Sequence, residues 1–119
     1  MGAMDVTVEH RHVGPRTVVE VGGEIDILAA PVLRDCIATQ IDAGRTDLVI
    51  DLGGVTFMDS TGLGILVGTH KRLRVLGGRL VVVVGQENLL KVLRITGLDG
   101  VLTLVSTQDE ALDQHVGPR

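Results

Sequence analysis

One serine stands in a setting that chemistry can use. Around Met58-Asp59-Ser60-Thr61-Gly62-Leu63-Gly64, the β-branched run Leu48-Val49-Ile50 gives way to apolar residues at helical spacing, namely Leu63, Leu66, Val67 and Leu73. The backbone must therefore turn from strand into helix near Asp59-Ser60, both residue types favoured at a helix N-cap. The first N–H groups of a helix lack intrahelical partners and the helix dipole is positive there, so a phosphate is stabilised at that spot. Ser60 is thus a candidate phosphoacceptor; the ordinary alternative is that it only caps the helix. Gly62, Gly64 and Gly68 fall in the first turns, where each costs about 1 kcal/mol relative to alanine. Close backbone approach explains such a cost: of the helix to its own sheet at Gly64 and Gly68, and of a partner to the helix start at Gly62.

Catalysis by this serine is disfavoured. The residues Met58-Asp59-Ser60-Thr61-Gly62 do not form a Gly-x-Ser-x-Gly elbow. Of the histidines, His10 and His12 lie near the start, His115 in the tail, and His70 in the same helix as Ser60. At the rise of an α-helix His70 is roughly 15 Å from Ser60, far beyond hydrogen-bond reach. The third glycine after Gly62 and Gly64 stands at position 68, off the dinucleotide fingerprint, and no phosphate-binding loop with Lys-Ser/Thr exists. No His or Cys spacing matches a metal site, and Asp26, Asp51 and Asp59 read as solvated loop carboxylates. The expectation is a non-enzyme without cofactor or metal, whose surface receives chemistry instead of performing it.

The elements that position Ser60 follow from pattern. Residues 5–9 alternate weakly as an edge strand, Val13-Gly14-Pro15-Arg16 is a turn, and residues 17–21 form a stronger strand ended by Gly22-Gly23. Pro31 suits the first turn of a helix whose buried stripe is Val32, Leu33, Cys36, Ile37 and Ile41, stopped by Gly44. The central strand, ended by Gly53-Gly54, and the Ser60 helix, ended by Gly77-Gly78, come next. Residues 80–84 form a continuous apolar strand of the kind covered on both faces. A helix over 86–96 carries Lys91 and Arg94 near its end and stops at Gly97, residues 101–105 give a last strand, and Thr107-Gln108-Asp109-Glu110 is a capping box for a closing helix. From His115 onward the chain reads as frayed. Alternating helices and strands imply an α/β fold with a mixed, mostly parallel sheet of about five strands.

Composition narrows the class further. The 119 residues suffice for one domain, 45% are hydrophobic, and Phe57 is the lone aromatic, so the core must be aliphatic, with Ile50, Leu66 and Val82 among it. A net charge of −4, with no basic cluster beyond Lys71-Arg72-Leu73-Arg74, argues against binding nucleic acid directly; that run reads as a solvated helix face. Cys36 has no partner for a disulfide and reads as a small core residue. No apolar run reaches the ~20 residues of a membrane helix, and no signal peptide precedes the domain, so a cytoplasmic protein is expected. Met1-Gly2-Ala3 reads as a cloning scar before Met4.

Phe57-Met58-Asp59-Ser60-Thr61-Gly62-Leu63-Gly64, with Val21-Gly22-Gly23-Glu24-Ile25-Asp26 upstream and Gly77-Gly78-Arg79-Leu80-Val81-Val82 downstream, resembles the bacterial anti-sigma factor antagonists of the STAS-domain family over nearly the whole chain. The resemblance implies a single STAS domain over residues 4–115 with helices packed mainly on one side of the sheet. It implies that the serine matching Ser60 is phosphorylated by a serine kinase that is itself the anti-sigma factor, that the unmodified form binds this kinase and frees a sigma factor, and that a serine phosphatase restores the cycle. Thr61 and Gly62 match the start of the contacting helix, Asp59 precedes it, and Glu24 and Asp26 match the loop beside it. Two other uses of the fold stay open: a scaffold subunit of a stress-signalling assembly and a small-molecule sensor.

Overall fold

The computed structural model describes residues 6–113. Met1-Gly2-Ala3, the start at Met4, the tail from His115 and the ends of the 4–115 domain lie outside the described residues.

The order of elements is β1 (Val6–Val13), β2 (Arg16–Ile25), α1 (Ala30–Asp42), β3 (Asp47–Met58), α2 (Ser60–Val75), β4 (Arg79–Val83), α3 (Glu87–Ile95), a 3-10 turn (Leu98–Gly100), β5 (Thr103–Val105) and α4 (Gln108–Asp113). In β1 and β2, Val13 pairs with Arg16 across Gly14-Pro15, with Gly14 at φ +60, the geometry a two-residue hairpin demands of its first central residue. The strands lie side by side in chain order, β1 antiparallel to β2 and the remaining neighbours parallel. Each parallel crossover therefore steps the same way, and because such crossovers share one hand, α1, α2 and α3 land on one face.

Strand alternation divides the core accordingly. Val19, Val21, Leu48, Ile50, Leu80 and Val82 pack against Leu33, Ile37, Leu66, Leu73, Leu89 and Leu93 of the three helices. Val18, Val49, Val81 and Val83 point the other way and are covered by Ala111 and Leu112 of α4. This short helix is tied down by polar contacts. Arg16, itself buried, donates to the Ala111 carbonyl at 2.8 Å and to the Leu112 carbonyl. The expected capping box forms: Thr107 Oγ1 accepts from the Glu110 N–H at 3.1 Å, and Glu110 Oε1 accepts from the Ser106 and Thr107 N–H groups.

Three expectations need correction. Val32 is exposed instead of buried, since Leu33, Ile37 and Ile41 already fill the inward stripe of α1 and Cys36 reaches only half-burial. The last strand begins at Thr103, because residues before it wind into the 3-10 turn. Most important, Gly22-Gly23 and Gly53-Gly54 do not end their strands. Both β2 and β3 run on through the glycines, with the register slipping between Glu20 and Gly22 and again between Gly23 and Glu24. Gly22 lies opposite Gly54, and a Cβ on Gly54 would sit 3.2 Å from Gly22 Cα and 3.3 Å from the Val21 carbonyl oxygen. Glycine here permits two backbones to come close at a bulge. Because β4 pairs with β3 only from Asp47 to Asp51, the far ends of β2 and β3 extend past it and carry their loops outward.

Candidate functional site

The turn from β3 into α2 is built by Asp59, not by Ser60. Asp59 is extended (φ −94, ψ −171), and its Oδ1 accepts the Thr61 N–H at 2.9 Å and the Gly62 N–H at 3.3 Å. This is N-cap geometry. Ser60 becomes the first helical residue and is exposed, and among the described residues its hydroxyl has no hydrogen-bond partner. The alternative in which Ser60 merely caps the helix is thereby removed. The Thr61 and Gly62 N–H groups already serve the Asp59 carboxylate, so a group added to Ser60 would meet the dipole of α2 but not those donors.

The second connection comes alongside through sheet register. Glu24 pairs with Phe57 and Ile25 with Met58, and the Asp59 N–H donates to the Ile25 carbonyl at 3.1 Å. Glu24 is thus an exposed residue near the end of β2, with Asp26 just beyond. Asp26 Oδ1 accepts the Leu28 and Ala29 N–H groups, both at 3.0 Å, while its carbonyl accepts those of Ala29 and Ala30. It fixes the turn into α1, which has no side-chain cap of its own. Glu24, Asp26, Asp59, Ser60, Thr61 and Gly62 therefore gather at one end of the sheet, with Thr61 half-buried and Gly62 buried.

The glycines exchange the roles expected of them. A Cβ on Gly62 would fall 2.5 Å from Met58 Cγ and 3.0 Å from Ile25 Cγ2, so this glycine lets α2 settle onto its own sheet. Gly64 and Gly68 are exposed, with nothing within 4 Å of an added Cβ. They border a groove between α1 and α2 lined also by Ile37, Ala38, Ile65 and Arg72. Sequence spacing placed all three on the helix but could not set their direction relative to the sheet.

At this end Ile27 and Leu28 escaped the sequence reading, and Phe57 entered it only as the lone aromatic and as part of the motif. Ile27, Leu28 and Phe57 are 68%, 69% and 52% exposed. The available signal was that Ile27 and Leu28 precede the stripe of α1 and so belong to no buried set. Elsewhere, burial raises the Cys36 thiol pKa above its ordinary value, which keeps the thiolate scarce. Arg72 pairs with Asp42 at 2.7 Å on the solvated face of α2. Among the described residues no group of three His, Cys, Asp or Glu side chains could hold a metal ion, and no helix is long and apolar enough to cross a membrane.

Comparison with known proteins agrees with this architecture. The STAS domain family matches residues 4–111. The chain is similar to the anti-sigma-B factor antagonist of Bacillus subtilis, 38% identical over 101 residues that span 85% of this chain and 92% of the relative. Its backbone is similar to the crystal structure of an anti-sigma factor antagonist from Mycobacterium paratuberculosis (TM-score 0.79, 34% identity, 94% of this chain and 96% of the other). It is also similar to the Bacillus cell fate determinant SpoIIAA in its phosphorylated form (TM-score 0.71, 27% identity, 91% and 98% covered). The first two of these relatives are named as antagonists, a regulatory role. By matched length, identity and fold, the chain belongs to the STAS domain family and, within it, to the anti-sigma factor antagonists.

Proposed function

We propose that the chain is a phosphorylation-switched binding module of the cytoplasm. Its unmodified form binds a serine kinase that is also an anti-sigma factor and so frees a sigma factor for transcription. The kinase modifies Ser60, which ends the complex, and a serine phosphatase restores it. The observation that carries this reading is the exposed, uncommitted hydroxyl of Ser60 on a helix start that Asp59 already caps. A kinase can take that hydroxyl without dismantling the turn. The likeness to SpoIIAA, a protein known in a phosphorylated form, supports the same reading.

The switch follows from charge. A phosphoserine adds about −1.5 to −2 at neutral pH, beside the Asp59 carboxylate and near Glu24 and Asp26. A kinase must also hold its nucleotide phosphates against the acceptor hydroxyl, so a phosphate left on Ser60 meets anions on both sides, and such juxtaposed like charges cost several kcal/mol. Thr61 is the nearest rival acceptor, but it is half-buried behind the cap. Phosphopeptide mapping after incubation with the host's anti-sigma factor kinase is expected to find the modification on Ser60. Phosphate on Thr61 with none on Ser60 would overturn the assignment.

A further inference from the structure

We infer that Ile27 and Leu28 form an apolar anchor by which the unphosphorylated chain holds its anti-sigma factor, seated in a hydrophobic recess of that partner whose rim is basic. The inference rests on the proposed binding at the Ser60 end and names what grips there.

Ile27 and Leu28 stand in solvent at 68% and 69% exposure while their neighbours Ala29 and Ala30 are buried. They are not loose. Asp26 receives the Leu28 and Ala29 N–H groups through its side chain and the Ala29 and Ala30 N–H groups through its carbonyl. The turn is thus held in one shape with its two largest side chains facing outward, and a rigid apolar projection loses little freedom on binding. Adjacent large apolar side chains in solvent, flanked by polar groups, are the anatomy of a binding surface.

Charge selects the occupant. From Thr17 to Leu33 and from Thr46 to His70 the chain carries no Lys or Arg, so Glu24, Asp26 and Asp59 border the anchor without a neighbouring cation in their own segments. A second copy meeting this face about a two-fold axis would set these carboxylates against their own equivalents, which disfavours a dimer here. A partner with lysines or arginines around an apolar recess is complementary. Continuity with Ser60 makes that partner the anti-sigma factor.

The test is titration calorimetry of unphosphorylated variants against the host's anti-sigma factor, chosen as the one that binds the wild-type chain. Ile27→Ser/Leu28→Ser is expected to weaken binding by about ten- to a hundredfold, with melting temperatures unchanged because these side chains are exposed. Val75→Ser/Ile95→Ser, which removes apolar groups 86% and 74% exposed on α2 and α3, is the control and should bind as wild type. Equal affinity for Ile27→Ser/Leu28→Ser and wild type would overturn the inference, as would a larger loss in the control. Sedimentation velocity adds a further arm: self-association abolished by Ile27→Ser/Leu28→Ser, with anti-sigma factor binding intact, would make the face a dimer surface and also overturn it. Ser60→Asp separates the two proposals. If it binds as wild type while Ile27→Ser/Leu28→Ser does not, the anchor stands and the switch falls; the converse removes the anchor alone.

Discussion

The two ends of the sheet solve their local problems differently. Where the helices finish, α1, α2 and α3 are each followed by a glycine at positive φ: Gly44 at +87, Gly77 at +76 and Gly97 at +78. In α1 the Arg45 N–H returns to the Gln40 carbonyl and that of Gly44 to Ile41; in α2 Gly78 returns to Leu73 and Gly77 to Arg74. These paired bonds close the last turns, and Arg72, Arg74 and Arg94 complement the negative ends of the dipoles. Where the helices begin, α1 and α3 have no side-chain cap, β2 and β3 are bulged, carboxylates border exposed Ile27, Leu28 and Phe57, and a serine hydroxyl is left uncommitted. Apolar exposure alone does not separate the ends, since Val75 and Ile95 are exposed near helix ends that are well closed. What separates them is that one end closes its last turns with glycine and backbone bonds, while the other uses carboxylates for its turns and leaves the Ser60 hydroxyl without a partner among the described residues.

The largest expected effect removes what both ends stand on. Leu66 is fully buried between α2 and the sheet. Leu66→Ala should cost about 2 to 5 kcal/mol, a large part of a typical stability of about 5 to 15. A chemical denaturation curve should then shift to lower midpoint as a single transition. An unchanged midpoint would mean that Leu66 is not a core residue.

Next in size is a change confined to the open end. Ser60→Asp should weaken anti-sigma factor binding by roughly two to three orders of magnitude, equivalent to about 3 to 4 kcal/mol, while Ser60→Ala keeps binding but cannot be switched off. Neither should move the melting temperature, because the Ser60 side chain supports nothing in the fold. Calorimetric titration with parallel thermal melts checks both. A Ser60→Asp chain that fails only because it unfolds would show that the two ends are not independent.

The closed end was also the readable end. Gly44, Gly77 and Gly97 were recognisable as helix stops because a left-handed residue after a helix is a local requirement that glycine meets in any tertiary setting. The order of elements and the pairing of the first two strands were readable for a similar reason, from period and turn chemistry. The glycine pairs Gly22-Gly23 and Gly53-Gly54 misled, since the same residue type that punctuates a strand also admits a bulge, and only the partner strand decides which. At the open end the strand-to-helix turn at Asp59-Ser60 is readable, while which of the two caps the helix is left open. Asp59 and Ser60 are both good caps, and one residue of phase determines which hydroxyl or carboxylate turns back to the helix. Ile27 and Leu28 are marked only weakly, by standing outside the buried stripe of α1, because composition reports apolar side chains without saying which are left outside.

The smallest effects test the glycines of α2, where the two ends meet on a single helix. Gly62→Ala places a Cβ 2.5 Å from Met58 Cγ and 3.0 Å from Ile25 Cγ2, atoms near the roots of packed side chains. Overpacking of this kind costs about 1 to 3 kcal/mol, outweighing the gain in helix propensity, so the variant should be less stable. Gly64→Ala meets nothing within 4 Å and lies in regular helix, so it should be more stable by about 0.5 to 1 kcal/mol. A glycine at an exposed helical position, one turn after Ser60, leaves room there for another backbone to come close. Gly64→Ala should therefore gain stability and lose affinity for the anti-sigma factor, by at least about threefold, because even one methyl obstructs a close approach. Denaturation and titration on the same preparation read both quantities. Stability and affinity rising together, or affinity unchanged, would place Gly64 outside the contact and confine the open end to the two loops and Ser60.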